Sequence, residues 1–241
     1  MNAGVRAASG PEDASATLRA GLAELAVPDP HRVLRLLERY LDELQRWNPR
    51  FGLVNAADRR ELVIRHVLDS LAAWRQVQEA AAAGSGSVLD IGSGAGFPGI
   101  PLAVALPELS FTLLERMSRR AAFLKTCGVL LDLSRLQVIG GDLHEVEGDY
   151  EVITFRAMAP FDRFLREAAR SGVRWRTVIA YKGKEERARR EIEEARRGGG
   201  ESLHLRCVRI RAPFMDEERC LITATRPSTE ERIVDKPEGA G

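Results

Sequence analysis

The stretch VLDIGSGAGFPGIPLA, residues 88–103, places four glycines and two prolines after a short apolar run. Runs of this length and composition are typical of a buried strand, and the glycines that follow predict a tight turn before a helix. The only acidic residue, Asp90, falls near the end of the predicted strand. From the residues alone, such a turn serves to cradle a phosphate, to hold a nucleoside or simply to reverse the chain.

Short runs rich in β-branched residues recur after residue 87 and alternate with helical stretches. This alternation predicts an α/β fold of the Rossmann-like type, with a mostly parallel sheet and helices on both faces. No helical stretch separates the last two runs, so we expect a closing antiparallel hairpin. The runs are SVLDI (87–91), SFTLLE (110–115), LQVIG (136–140), EVITF (151–155), TVIAY (177–181), ESLHLRCVRI (201–210) and RCLITATR (219–226).

The chain before this region has the periodicity of helices. In VLRLLERYLDELQRW, residues 33–47, apolar side chains recur at the three- and four-residue spacing of an amphipathic helix. Pro49 follows, and a proline there predicts the end of that helix. We predict a disordered tail over 1–14, a helical section over 15–84, the α/β domain over 85–226 and a loose tail over 227–241.

Composition narrows the class of protein. The 241 residues are 44% hydrophobic and 29% charged, as in a soluble globular protein, and the net charge of +1 indicates no overall attraction to nucleic acid. The three cysteines have no metal-ligand spacing, so we predict no metal site and a reducing compartment. We find no signal-peptide pattern or membrane-length apolar run, and we therefore expect a cytoplasmic protein without a membrane partner.

The glycine-rich turn allows two cofactors. GAGFPG, residues 94–99, fits the dinucleotide pattern G-x-G-x-x-G, but a carboxylate at Asp90 would repel a pyrophosphate placed at the helix N-terminus. Glu115 ends the next predicted strand, where a carboxylate can accept hydrogen bonds from both hydroxyls of a ribose. A D-x-G-x-G-x-G turn followed by such an acid favours S-adenosylmethionine. The predicted contacts from this pattern are Asp90, Gly92, Gly94, Gly96 and Glu115.

Several stretches, in order, make a more specific pattern: RHVLDS (65–70), DIGSGAGFPGIPLA (90–103), TLLE (112–115), FRAMA (155–159) and KG (182–183). Together they resemble the RsmG family, also called GidB, whose members methylate N7 of a guanine in small-subunit (16S) ribosomal RNA. The resemblance covers roughly residues 33–225. It implies that residues 85–226 form an S-adenosylmethionine-dependent methyltransferase domain.

The resemblance also implies roles for individual residues. It places Gly92 and Phe97 against the cofactor, and it sets Leu143 and His144 over the adenine. Arg156 closes the site from the end of the fourth strand, in a positioning role rather than as an acid or base. His66 and Lys182 lie on the substrate side. The implied partner is 16S ribosomal RNA or the small ribosomal subunit, and we expect a monomer.

Three parts of the chain depart from the family pattern. Gly52, Leu53 and Val54 stand near the place of an NLT-like stretch, Asp142 and His144 replace parts of a glycine- and arginine-containing turn, and Phe155 replaces a serine or threonine.

Two local readings stay open. From the residues alone, the RHVLDS segment favours an Arg65–Asp69 ion pair and a His66 that is either part of a cap or solvated, whereas the resemblance favours a helix that covers the transfer cleft. The charged run over 182–197 is either a salt-bridged helix, which its interleaved glutamates favour, or an RNA-binding patch.

Two other functions stay open beside ribosomal RNA methylation. The same cofactor chemistry serves methyltransferases that act on small molecules. A protein that binds the cofactor without turnover would instead have a regulatory role.

Overall fold

The structure is a computed structural model, and it describes residues 11–156, 159–200 and 202–227. Between residues 11 and 86 the structure describes five α-helices, and the longer ones pack apolar residues on one side. In the longest helix, Val33, Leu37, Leu41 and Leu44 are all buried on that side. These helices are α1 (Pro11–Glu24), α2 (Pro30–Phe51), α3 (Arg59–Leu62), α4 (Asp69–Leu71) and α5 (Trp74–Ala82), with a π-helix (Val63–Leu68) that joins α3 to α4.

Two expectations about helix ends are wrong. Pro49 does not end α2 but lies within its last turn; the helix ends at Phe51 and is capped by Gly52, which adopts a left-handed conformation with φ 56°. The helical section begins before residue 15, because α1 starts at Pro11; Ala14 is already in the core, and Glu12 and Asp13 favour a helix N-terminus. The rest of the predicted N-terminal tail, residues 1–10, lies outside the described residues.

The second part of the chain forms one seven-stranded sheet in the order β3-β2-β1-β4-β5-β7-β6. The first five strands are parallel, and β6 and β7 form the expected antiparallel hairpin at the β5 edge. The strands are β1 (Ser87–Ile91), β2 (Ser110–Leu114), β3 (Leu136–Ile139), β4 (Glu147–Arg156), β5 (Gly172–Lys182), β6 (His204–Ile210) and β7 (Arg219–Thr225).

Helices cover both faces of the sheet, as the alternation predicts. Side chains alternate along each strand, so Val88 packs in one apolar core with the N-terminal helices while Leu89 packs in a second core on the other face. The connecting helices are α6 (Gly99–Ala105), α7 (Ser118–Leu130), α8 (Phe161–Arg170) and α9 (Glu185–Ala195). The helical section is therefore packed onto the sheet rather than separate from it.

The carboxyl ends of β1, β2, β4 and β5 lie along one edge of the sheet, where ligands bind in folds of this kind. Because β7 is antiparallel to β5, it begins at the same edge, with Cys220 opposite Lys182. Ala157 and Met158 of the FRAMA stretch, and residues 228–241 of the predicted C-terminal tail, lie outside the described residues. Within the described part of the chain, no helix is both long and apolar enough to cross a membrane.

Candidate functional site

The glycine turn, residues 92–99, follows β1 and is held against the neighbouring strand. The backbone N–H groups of Gly92 and Ser93 both donate to the Leu114 carbonyl, at 2.9 and 3.1 Å. Gly96 has φ 102°, and a Cβ there would lie 2.6 Å from Ile100, so only glycine fits. A Cβ on Gly94 would meet nothing closer than the Gly92 carbonyl at 3.8 Å, which leaves open space beside the backbone.

Asp90 lies beneath this turn and is completely buried. Its Oδ2 accepts a hydrogen bond of 3.1 Å from the Gly99 N–H, but its Oδ1 has no hydrogen-bond partner among the described residues. Burial raises the pKa of the Asp90 carboxyl from 3.8 to about 7, because removal from water disfavours the charged form. A buried oxygen without a partner at a strand end suits a ligand that brings a donor or a cation.

Glu115 lies just beyond β2 and is 4% exposed. Its two oxygens accept hydrogen bonds from the N–H groups of Gly94 and Met117, at 2.9 and 2.8 Å. A carboxylate has about four acceptor positions, so Glu115 retains capacity for further donors. The Glu115 carbonyl also accepts from the Gly141 N–H at 3.2 Å, which brings the chain after β3 next to the turn.

The segment after β3 lies next to the glycine turn, and its residues differ in burial. Leu143–Glu145 forms one turn of 3-10 helix, capped reciprocally by Asp142 and Glu145. Leu143 is buried, whereas the His144 side chain is exposed. The capping explains why this chain places Asp142 in the turn.

The glycine turn, the two carboxylates and this segment fit S-adenosylmethionine. That cofactor carries a cationic amino group, which suits the unpartnered oxygen of Asp90, and a ribose with two hydroxyls, which suits the remaining acceptors of Glu115. The open space beside Gly94 leaves room for a bound molecule to approach the backbone. No metal ligand set of three or more His, Cys, Asp or Glu side chains occurs in the described ranges.

Opposite the turn lies a polar group that we call the arginine cluster: His66, Asp69, Arg156 and Arg219. Arg156, the last residue of β4, donates from Nη1 to Asp69 Oδ2 at 3.1 Å and to the Arg65 carbonyl at 3.1 Å. Its Nη2 lies 2.8 Å from His66 Nδ1, and its guanidinium lies 5.2 Å from the centre of the Phe97 ring. The cluster therefore joins the π-helix to the sheet and to the glycine turn.

His66 is held as a neutral imidazole. An arginine can only donate, so Nδ1 of His66 accepts the bond from Arg156 and the ring proton is on Nε2. Burial and the Arg156 charge lower the pKa of His66 from 6.5 to about 4. The ring also packs 5.1 Å from that of Phe97, which places this predicted substrate-side residue beside a predicted cofactor-side residue.

The expected Arg65–Asp69 ion pair is wrong. Arg65 pairs instead with Glu61 and Glu217, and Asp69 pairs with Arg156 and Arg219. The segment Val63–Leu68 is a π-helix, whose wider i→i+5 turn takes residues four apart out of alignment. π-Helical turns are frequent at functional sites.

Sequence reasoning missed Arg219, whose Nε donates to Asp69 Oδ1 at 2.9 Å. A signal was present, because an antiparallel last strand must begin at the edge where the parallel strands end. An arginine at the first position of β7 therefore reaches the same edge as Arg156.

Lys182, the other predicted substrate-side residue, is part of a buried ion pair. Its Nζ lies 2.6 Å from Glu191 Oε2 and 3.3 Å from the Ala159 carbonyl. Glu191 is on α9, whose further pairs include Arg189–Glu185 and Arg187–Glu191. The charged run is thus the salt-bridged helix that its glutamates favour.

A cleft of about 1060 Å³ opens between the π-helix, the ends of β4 and β5, and α9. Both predicted substrate-side residues line it, together with Arg156 and Arg219. Seven lysines and arginines but only four acids line the cleft, so its local charge is positive although the whole chain is almost neutral. A cleft of this charge suits a polyanion.

The family match and the curated relatives of this chain agree with each other. Residues 33–206 match the family described as rRNA small subunit methyltransferase G, or GidB. Proteins named ribosomal RNA small subunit methyltransferase G from Treponema pallidum (strain Nichols) and Solibacter usitatus are 38% and 36% identical to the chain over 204 and 196 residues. The alignments cover 80% and 78% of this chain and 85% and 89% of those proteins.

Solved structures with the same fold are also methyltransferases. A human methyltransferase 10 domain containing protein superposes with a TM-score of 0.53 at 15% identity, over 80% of this chain and 97% of that one. Magnesium protoporphyrin IX methyltransferase from Synechocystis, solved with bound S-adenosylmethionine, gives 0.50 at 14% identity, over 78% and 97%. At these identities the likeness shows the fold alone.

Proposed function

Because this chain belongs to the GidB family of small-subunit ribosomal RNA methyltransferases, we propose that it transfers a methyl group from S-adenosylmethionine to N7 of a guanine in 16S ribosomal RNA. The observation that carries the cofactor assignment is the buried Asp90, whose Oδ1 has no hydrogen-bond partner in the described part of the chain and lies beside a glycine turn that leaves room for a ligand. Because the proposed substrate is ribosomal RNA, we expect the protein to act in the cytoplasm, and we expect it to be a monomer.

Residues at the ends of the first two strands would hold the cofactor. Asp90 would face its amino group, and Glu115 would accept from the ribose, with Gly92, Gly94 and Gly96 allowing close approach. Phe97, Leu143 and His144 would complete the walls. S-adenosylmethionine supplies a methyl group on a positively charged sulfur that is a good leaving group.

The chemistry at guanine N7 asks little of the protein beyond alignment. N7 has an exposed lone pair and no proton, so no general base has to remove one. This agrees with a His66 that is held neutral by Arg156 rather than tuned to exchange protons near pH 7. Correct alignment of two bound reactants lowers the activation free energy by several kcal/mol, and by about 7–11 kcal/mol in the most favourable cases.

The positive cleft favours RNA over a small neutral substrate. His66, Arg156 and Lys182 line its inner part, and Lys184, Arg187 and Arg190 line its α9 side. The arginines and lysines among them suit phosphates around a base that is unpaired or at the end of a loop, where proteins reach single bases in RNA. The size of the cleft, about 1060 Å³, accommodates a nucleotide together with part of its backbone.

Methyl transfer from radiolabelled S-adenosylmethionine tests the proposal directly. The purified chain is incubated with 16S RNA, with intact small subunits and with a small-metabolite extract, and labelled RNA is mapped by mass spectrometry. We expect label at one guanine N7. Asp90→Asn should lower the labelling, and the matched surface change Asp149→Asn should leave it unchanged, because the Asp149 side chain is exposed and paired with Arg174.

The alternatives give different results in the same assay. Label only in the small-metabolite fraction would identify a small-molecule methyltransferase. Cofactor binding without transfer to any fraction would favour a regulatory protein. Label in RNA at an atom other than guanine N7 would contradict the proposed position while retaining the RNA substrate.

A further inference from the structure

One carboxylate, Asp69, is shared by two arginines from different parts of the chain. Its Oδ2 accepts from Arg156 Nη1 at 3.1 Å and its Oδ1 from Arg219 Nε at 2.9 Å. The Asp69 side chain is 7% exposed, and those of Arg156 and Arg219 are 18% and 20% exposed. Because all three groups are largely removed from water, their hydrogen bonds are stronger than those of an exposed ion pair.

The contact between Arg156 and Asp69 uses one of the two carboxylate oxygens. Arginine and carboxylate groups often pair through two parallel hydrogen bonds, in which two guanidinium nitrogens meet two oxygens. Here Arg219 already holds Oδ1, so Arg156 meets Oδ2 alone. Its other terminal nitrogen, Nη2, is then available for His66 Nδ1, which lies 2.8 Å away.

We propose that Arg219 is a positioning residue: by occupying one oxygen of Asp69, it directs the guanidinium of Arg156 onto His66. Without Arg219, the Asp69 carboxylate turns both oxygens toward Arg156, and the bond from Nη2 to His66 is lost. The hydrogen bonds that the structure gives Arg219 go to Asp69 and the Glu218 carbonyl, so its effect on Arg156 and His66 passes through Asp69. The inference rests on the proposed function, in which Arg156 and His66 form one wall of the transfer site.

The ionisation of His66 reports on this arrangement. Burial and Arg156 lower the pKa of His66, whereas Asp69, Glu61 and a contact with the Asn55 backbone raise it. Loss of the Arg156 bond removes a cation from Nδ1 and leaves the groups that favour the imidazolium. The pKa of His66 in a variant without Arg219 therefore moves upward, from about 4 toward 6.5.

The experiment is an NMR titration of the histidine rings in the ligand-free full-length chain between pH 8 and 4.5. The chain has four histidines, and His66→Gln assigns the relevant signal. In the wild type we expect the His66 signals to begin to shift only at the acidic end of this range, whereas in Arg219→Met, which keeps an unbranched stem without a donor, we expect a titration at higher pH. Arg219→Lys should lie between the two, and the surface control Arg174→Met should behave as wild type.

Turnover on RNA supplies the second measurement. We expect Arg219→Met to lower turnover on RNA about tenfold, equivalent to about 1.4 kcal/mol, with partial recovery in Arg219→Lys. If Arg219→Met does not fold, Arg219→Gln replaces it, since it is also neutral. His66 signals that stay neutral in the variant without Arg219 overturn the inference.

The two proposals fail separately. A wild-type chain that methylates no RNA contradicts the proposed function, yet the His66 titration still reports on Arg219. A wild-type chain that methylates RNA, combined with an unchanged His66 titration in the Arg219 variant, contradicts the positioning role alone.

Discussion

The arginine cluster packs against the ring of Phe97, a residue of the glycine turn, but the buried carboxylates of the two regions are partnered differently. Under the turn, Asp90 has a single backbone donor, and burial raises its pKa to about 7. In the cluster, Asp69 has two arginine partners, and burial together with Arg156 lowers the pKa of His66 to about 4. A ligand can therefore supply a cationic partner to the carboxylate under the turn, whereas the Asp69 carboxylate is already paired within the protein.

This difference indicates which region binds and which positions. A buried acid without a cationic partner gains stability when a cation arrives, so the turn side is suited to ligand affinity. A group fully connected by hydrogen bonds gains nothing comparable, but it holds its members in one geometry. We therefore expect changes under the turn to alter cofactor affinity most, and changes in the cluster to alter turnover most.

The largest effect is expected for Asp90→Asn and Glu115→Gln. Each change removes a charged hydrogen-bond acceptor, which costs about 1.5–3 kcal/mol of binding free energy. The affinity for S-adenosylhomocysteine, the product that remains when the cofactor has lost its methyl group, should therefore fall about 10- to 100-fold in calorimetry. Thermal unfolding of Asp90→Asn should be no worse than wild type at pH 8, because the amide oxygen still accepts from Gly99 and no charge is buried. Asp149→Asn is the exposed control, and normal affinity in both variants would refute the cofactor placement.

Arg156→Lys should be impaired nearly as much as Arg156→Ala, by about tenfold or more in turnover. Lysine keeps the charge, but its single ammonium lacks the planar fork that reaches Asp69, His66 and the Arg65 carbonyl together. Steady-state methyl transfer to RNA measures this. Arg174→Lys serves as the exposed control, and a nearly normal Arg156→Lys enzyme would show that charge alone matters.

Cofactor affinity should rise with pH. The folded pKa of Asp90, about 7, is above its ordinary 3.8, so its contribution to folding stability is complete below about pH 4 and is lost as the pH rises to 7. A ligand ammonium group favours the ionised form, so S-adenosylhomocysteine should bind about tenfold more tightly at pH 8 than at pH 6. His66 does not titrate in this window. Calorimetry on Asp90→Asn should show this dependence removed; an equal dependence there would assign it to another group.

The smallest effect is expected for Glu217→Gln. Arg65 and Glu217 form an ion pair between the π-helix and the chain before β7, but both side chains are about half exposed. Exposed ion pairs contribute about 0–1 kcal/mol to folding stability. The free energy of unfolding, measured with denaturant, should therefore fall by no more than that, and turnover should change little. A loss as large as that of Arg156→Ala would mean that the exposed contact, and not the buried cluster, holds the π-helix in place.

The sheet and the turn side of the site were predictable from the sequence. Each strand is a short run whose side-chain period is visible locally, and the turn places Asp90 and its glycines within ten residues. Boundaries were less accurate: β4 and β5 begin four and five residues before the predicted runs, because polar residues such as Asp149 and Arg174 continue the pairing at the exposed end.

The arginine cluster needed the tertiary structure. Arg156 and Arg219 lie 87 and 150 residues from Asp69 along the chain, and no local periodicity relates positions so far apart. The π-helix also removed the neighbour that a regular helix would have given to Asp69. The sequence by itself determined the fold and the carboxylates under the glycine turn, because backbone propensity and side-chain period act between near neighbours. Only the tertiary structure decided which arginine meets which carboxylate, because a buried charge pairs with whichever opposite charge the packed chain brings within reach.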